Sequence, residues 1–302
     1  MSDNHLAELA GLSTAVCWAI SAVAFEVSGR RLGSLSLNVI RLVIGLGMLA
    51  VWGTIQGRGP WPTGLGLDAW GWLSLSALCG IVLGDYCLFR AYIELGPRRS
   101  SVVMASVPMW ASLIGWALLD EALTRGQVVA IAITSLGIAW AVASKPRGSG
   151  ARVARRPRRG VLLAGAGAIG QASGLVLSKL GMGDHDPFAA TQVRLLAGLG
   201  GFALVCTALG WWGRILTAWR DRQAMVPAAI GSFFGPFLGV SLSLLAVQHG
   251  ATGVAATLMA ITPILLIPVS YWRREPVGLG GLAGAALAVL GVAQLMAQQP
   301  AS

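Results

Sequence analysis

Ala105-Ser106-Val107-Pro108 stands inside a long apolar run, and roughly 154 residues later a second apolar run carries Ala260-Ile261-Thr262-Pro263. Outward from the two prolines the matches continue. Gly80, Gly84 and Ala91 return as Gly235, Gly239 and Ala246. Glu121, Gly126 and Gly137 return as Glu275, Gly280 and Gly291. Arg41-Leu42, followed by Gly45 and Gly47, returns as Arg194-Leu195, followed by Gly198 and Gly200. The chain therefore reads as two copies of one unit.

The basic residues do not follow the copies place by place. Arg98-Arg99 close the third apolar run of the first copy, and nothing basic stands at the matching place in the second. Arg273-Arg274 close the fourth run of the second copy, where the first has Asp120-Glu121. Cytoplasmic loops collect Lys and Arg, so charges that change loops between copies mark two units lying upside down to each other in a membrane. Inverted repeats of this kind point to a transporter.

Composition agrees. The chain has 302 residues, 55% of them hydrophobic and 11% charged, whereas a soluble domain carries about 25% charged residues. Ten apolar runs, near 6–28, 35–55, 69–93, 99–119, 125–144, 159–180, 188–210, 224–247, 251–271 and 277–297, each approach the roughly 20 residues that cross a bilayer as a helix. The expected fold class is an all-α integral membrane protein with ten transmembrane helices as two inverted five-helix repeats. Residues 1–146 form the first repeat, 147–158 a basic cytoplasmic linker, and 159–302 the second. The first run lacks a basic leader and is long enough to span, unlike a cleaved signal peptide.

Sixteen Lys or Arg fall in the connections after runs 1, 3, 5, 7 and 9, against three on the other side. That bias sets the linker in the cytoplasm and both termini outside an inner or plasma membrane. Trp61, Trp70 and Trp72 then mark the outer interface, and Trp211, Trp212 and Trp219 the inner one. The net charge of +10 sits mainly in the linker, which suits anionic headgroups rather than nucleic acid. Cys17, Cys79, Cys87 and Cys206 all lie inside spans, without metal-ligand spacing. No metal or cofactor is implied. No Walker A loop is present, so ATP is not a direct energy source.

The pattern Ala91-Tyr92 … Gly96 … Pro108 … Leu118-Leu119-Asp120-Glu121-Ala122-Leu123-Thr124 … Gly126 … Gly137 resembles the EamA repeat of the drug/metabolite transporter superfamily. Ala246 … Gly250 … Pro263 … Glu275 … Gly280 … Gly291 resembles it more loosely. Within the superfamily the chain is most similar to YddG-type amino-acid exporters. The resemblance implies export of amino acids and related small metabolites, with the first, third and fourth helix of each half lining a cavity. Aromatic-amino-acid exporters of the superfamily have a Trp just before the span-four proline and another in span six, where this chain has Val107 and about Gln171.

Several residues stand out on their own chemistry. Pro108 and Pro263 sit mid-span and read as paired kinks lining the cavity. Gly231, Gly235 and Gly239 form a stripe for close packing, partnered by Gly80 and Gly84, and Gly235 with Pro236 reads as a hinge or a simple kink. Asp85 is an acid near mid-membrane, which is costly unless paired, protonated or wet. It reads either as an amine contact or proton site, or as half of a pair with an arginine of a neighbouring helix. Arg90 is five residues on, a poor helical spacing for that pair. Glu26 and Arg41 share one membrane end and read as a lock or a gate, with Lys179 standing where the second copy would repeat Glu26.

Thr14, Trp18, Ser21 and Phe25 share a face of span one, which is either cavity wall or core packing. Tyr86, Met104, Gln171, Ser241 and Met259 are further lining candidates, the methionines because they fill adaptable surfaces. Asp184-His185-Asp186 reads as a solvated turn. Gly278, Gly280, Gly281, Gly284 and Gly291 offer a surface for a homodimer, although ten spans also make a complete bundle.

The reading that unites these features is a secondary transporter working by alternating access on a small-molecule substrate, and not an enzyme. A channel or passive facilitator is a rival, as is an exchanger of nucleotide sugars or phosphorylated metabolites using Arg41, Arg90, Lys179 or Arg194. An intramembrane protease would need Gly181-Met182-Gly183-Asp184 and Asp85 as paired acids.

Overall fold

A computed structural model describes residues 3–94, 97–144, 157–272 and 278–298. Residues 145–156, which hold most of the 147–158 linker, together with Arg273, Arg274 and Glu275, lie outside them, as do the side chains of Arg98 and Arg99. Among the described residues, ten helices are long and apolar enough to cross a membrane. They are α1 (His5–Leu32), α2 (Leu35–Ile55), α3 (Leu67–Leu88), α4 (Ser100–Leu119), α5 (Arg125–Ala143), α6 (Arg158–Met182), α7 (Pro187–Ala208), α8 (Arg222–His249), α9 (Thr252–Val269) and α10 (Leu279–Ala297). One face of the bundle, here the terminus face, holds His5 and Ala297, and the opposite linker face holds Ala143 and Arg158. A short helix, Trp212–Ala218, fills the α7–α8 connection. It is too short to span and left no hydropathy signal.

Five crossings per repeat is an odd number, so α1–α5 and α6–α10 run in opposite senses. α1, α3, α4, α6, α8 and α9 form the centre, with α1 packed on α8 and α9, and α6 packed on α3 and α4. α5 and α10 form a pair at one edge, while α2 and α7 pack together against α8 and α3 at the other.

Small residues set these approaches. A Cβ on Gly239 would lie 2.8 Å from the Trp18 ring, and one on Gly235 would lie 2.6 Å from the Ser21 hydroxyl. A Cβ on Gly174 of α6 would lie 2.7 Å from the Gly80 Cα. The two glycine stripes are therefore not partners of each other. The α8 stripe receives α1, and Gly80 with Gly84 receives α6, which is the same contact made once in each repeat. Lipid gives helices no hydrophobic drive to associate, so such backbone approach is what lets dispersion hold the bundle. The span-ten glycines serve the same end. Gly284 abuts Ala141 of α5, and a Cβ on Gly137 would lie 2.8 Å from the Ala288 Cα.

The two central prolines do not kink continuous helices. α4 consists of Pro97–Met104 followed by Val107–Leu119, with Pro108 in the first turn of the second piece. α9 breaks after Thr252–Met259 and resumes at Thr262–Leu265, with Pro263 again in the first turn. A first-turn proline has no intrahelical N–H to lose, so each proline restarts a helix after a break. Two π-helical stretches recur at matching places, Leu78–Gly84 in α3 and Phe233–Phe237, with Pro236, in α8.

Candidate functional site

Asp85 is the first residue beyond the π-helical stretch of α3. Its Oδ2 accepts from Nη2 of Arg41 on α2, in a short ion pair, and its Oδ1 accepts from Nε2 of Gln171 on α6 at 2.9 Å. The Arg41 guanidinium carbon lies 5.8 Å from the Phe25 ring centroid of α1, within cation–π range. Side-chain exposure is 23% for Arg41 and 11% for Asp85. Four helices and both repeats thus meet at one buried ion pair. The Arg41 Nε has no hydrogen-bond partner, so the cluster still has an unused donor.

A second cluster closes the terminus face. Lys179 at the end of α6 donates to Glu121 Oε1 at 2.7 Å and to the Gly250 carbonyl at 2.7 Å. The Thr252 amide donates to Glu121 Oε2 at 2.7 Å, and the Thr252 hydroxyl to Oε1 at 2.9 Å. Glu121 follows the left-handed residue Asp120 (φ 53°), which ends α4 and turns the carboxylate back over the helix. Every carboxylate oxygen here is paired, the condition under which a buried polar network stiffens a fold. Beneath it all eight residues of Thr252–Met259 are buried, while residues 260–267 on the linker side are all partly exposed.

Two segments of the chain, 5–143 and 158–297, match the EamA-like transporter family. The chain belongs to the EamA-like transporter family. A solved structure titled "Crystal structure of protein" matches with a TM-score of 0.75 at 19% identity over 95% of each chain, which speaks for the fold alone. No curated protein matches.

In this EamA-like transporter the residues singled out from the sequence separate into groups. Asp85, Arg41 and Gln171 come together as described. Arg41 does not meet Glu26, which instead accepts from Arg30 one helical turn away at 2.6 Å. Arg90 stays apart from Asp85, donating to the Tyr86 hydroxyl at 3.3 Å and lying over its ring at 5.6 Å. The stripe of Thr14, Trp18, Ser21 and Phe25 packs on α8 and on its own helix. Ser21 donates to the Gly231 carbonyl at 2.9 Å, and Thr14 to Ala10 at 2.8 Å. Ser241 is buried with its hydroxyl on the Phe237 carbonyl at 2.6 Å, and Met259 is enclosed in the core. Both are packing residues in this state. Pro108 is buried as well, whereas Met104 and Pro263 are partly exposed near the two helix breaks.

Asp186 caps α7, accepting from the Ala189 amide at 2.9 Å, and pairs with Arg58 at 2.7 Å. Asp184 lies in the same terminus-face turn, beyond the end of α6, whereas Asp85 lies toward the linker end of α3. The two acids of the protease reading are thus on opposite sides of the midplane. A cavity of about 470 Å³ lined by Asp68, Trp72 and the Leu180–His185 turn opens broadly on the terminus face. It touches neither charged cluster.

The sequence reading missed the cluster of Lys179 and Glu121. Glu121 is visible as half of a repeated position, but its partners are 58 and 131 residues away. The one available signal was an acid and a lysine at the same membrane end of adjacent central helices.

Proposed function

We propose that this EamA-like transporter exports amino acids and related small metabolites across the inner or plasma membrane by alternating access. The observation that carries this reading is the Arg41–Asp85–Gln171 cluster between the repeats. It sets a cation beside an anion at one buried point, so a zwitterion can exchange partners with it, ammonium to Asp85 and carboxylate to Arg41. A solute with one charge would leave the other member buried and unpaired, which is costly in a dry site. If transport is coupled to protons, Asp85 and Glu26 are the acids proposed to bind one.

The burial pattern supports a state closed toward the termini and open toward the linker. Sealed packing along Thr252–Met259 and the Lys179–Glu121 latch lie on one side, and partly exposed residues 260–267 on the other. With the basic linker in the cytoplasm, that is the loading state of an exporter. Rocking of one repeat against the other would then release solute outside.

Counterflow into proteoliposomes, run with a panel of labelled amino acids with and without a pH gradient, tests the reading. Saturable, trans-stimulated uptake of zwitterionic amino acids is expected, with nucleotide sugars and sugar phosphates inert. Non-saturating ohmic current would overturn the carrier, and preference for phosphorylated solutes would overturn the substrate class.

A further inference from the structure

Arg194 on α7 is 6% exposed. Its Nε has no hydrogen-bond partner, and it forms none of the ion pairs found among the described residues. It sits about 10 Å along α7 from Pro187, at 1.5 Å per residue, too deep and too enclosed to be read as a headgroup contact. Its Nη2 lies 3.7 Å from where a Cβ on Gly80 would be, at the point where the π-helical stretch of α3 meets Gly174 of α6.

The repeat explains what is absent there. Arg194 matches Arg41, but the residue matching Asp85 is Val240, and the residue matching Gln171 is Trp18. On the linker side of the midplane the cation has an acid and an amide facing it. On the terminus side the cation is kept, and the residues at the two matching places, Val240 and Trp18, carry neither a charge nor an amide. Trp18 lies against Gly239, next to Val240. A guanidinium buried without a counter-charge needs an anion from elsewhere.

We propose that Arg194 is a second anion-binding residue of the transport pathway, taking the carboxylate of the carried solute on the terminus side of the midplane. This rests on the zwitterion reading of the Arg41–Asp85 cluster. A solute held there by both charges is held by Arg194 through its carboxylate only, so binding weakens on the way out and favours release.

Tryptophan fluorescence of the purified full-length chain, titrated with glycine, acetate, inorganic phosphate and glycinamide, tests the assignment. Glycine and acetate give saturable responses and glycinamide does not. Arg194→Gln weakens the acetate response about ten- to a hundredfold, the size of one lost charge-assisted hydrogen bond, while glycine still saturates through the Arg41–Asp85 pair and Arg194→Lys keeps most of the acetate response. Val240→Asp sets a carboxylate at the place matching Asp85, and as a counter-charge to Arg194 it is expected to weaken the acetate response equally, with thermal unfolding unchanged or raised. That variant keeps the test sound if Arg194→Gln fails to fold.

Three outcomes overturn the proposal: an acetate response that survives both variants, one that depends on Arg41 alone, or saturation by phosphate without any by acetate. If carboxylates bind through Arg194 but no amino acid is carried in liposomes, the amino-acid reading falls and the anion site stands. If amino acids are carried equally by wild type and Arg194→Gln, the anion site falls alone.

Discussion

Replacing Asp85 by Asn leaves the Arg41 guanidinium half-enclosed with Phe25 and without its counter-charge. Breaking a buried pair from one side costs about 3 kcal/mol, so Asp85→Asn is expected to lower the thermal unfolding temperature in detergent. The double variant Asp85→Asn with Arg41→Gln should recover most of that loss while counterflow stays absent. If the single variant transports with an unchanged pH dependence, Asp85 carries no coupled proton. Asp221, on the linker side just before α8, behaves differently. The Arg31 guanidinium, 2.9 Å from its carboxylate, holds Asp221 below the usual carboxylate range. A depressed carboxyl contributes stability above its unfolded value and loses it only as pH falls through the folded one. Acidification to mildly acid pH should therefore leave the α1–α8 end contact intact, as amide exchange at residues 222–226 would report.

At the scale of elements, the latch of Glu121 on Lys179 and Thr252 joins α4, α6 and α9 at the terminus face. Glu121→Gln keeps the shape and removes the charge, weakening bonds worth about 1.5–3 kcal/mol when one partner is ionised. Amide exchange across Thr252–Met259 should speed up about tenfold or more, and no change there would mean the seal lies elsewhere. The α5–α10 pair gives the converse case. Gly137→Val would set methyls into the Ala288 backbone, at a cost of about 1–3 kcal/mol from overpacking, yet transport per folded molecule should hold because this pair lies off the centre. Much of this architecture was legible. Ten runs of the right length, paired Pro108 and Pro263, and the glycine positions gave the spans and the duplication, because lipid imposes length and small-residue rules on each helix separately. A pair between Asp85 and an arginine of a neighbouring helix was one of the two readings open from the sequence, but which arginine, and the partners of Glu121, were not legible. Glu26 and Arg41 sit at one membrane end, but which side of a helix faces a neighbour depends on breaks and π-turns that leave little trace in hydropathy.

For the whole molecule, the charge bias across ten spans predicts a sidedness. In right-side-out vesicles, a tag at the C-terminus should react with a membrane-impermeant reagent, and one inserted at residues 147–158 should be protected. The opposite labelling would overturn the proposed direction of export, leaving the two repeats unchanged. The π-helical stretch of α3 adds a mechanical consequence. Each π-turn stores one residue beyond the α-helical count, and in an α-helix one residue is about 100° of rotation. Were Leu78–Gly84 to tighten into α-helix, everything after it would swivel as a shaft does when a gear slips one tooth. Asp85 would turn off the Arg41 axis without α3 tilting at all, and Phe233–Phe237 gives α8 the same free play on the other side of the bundle.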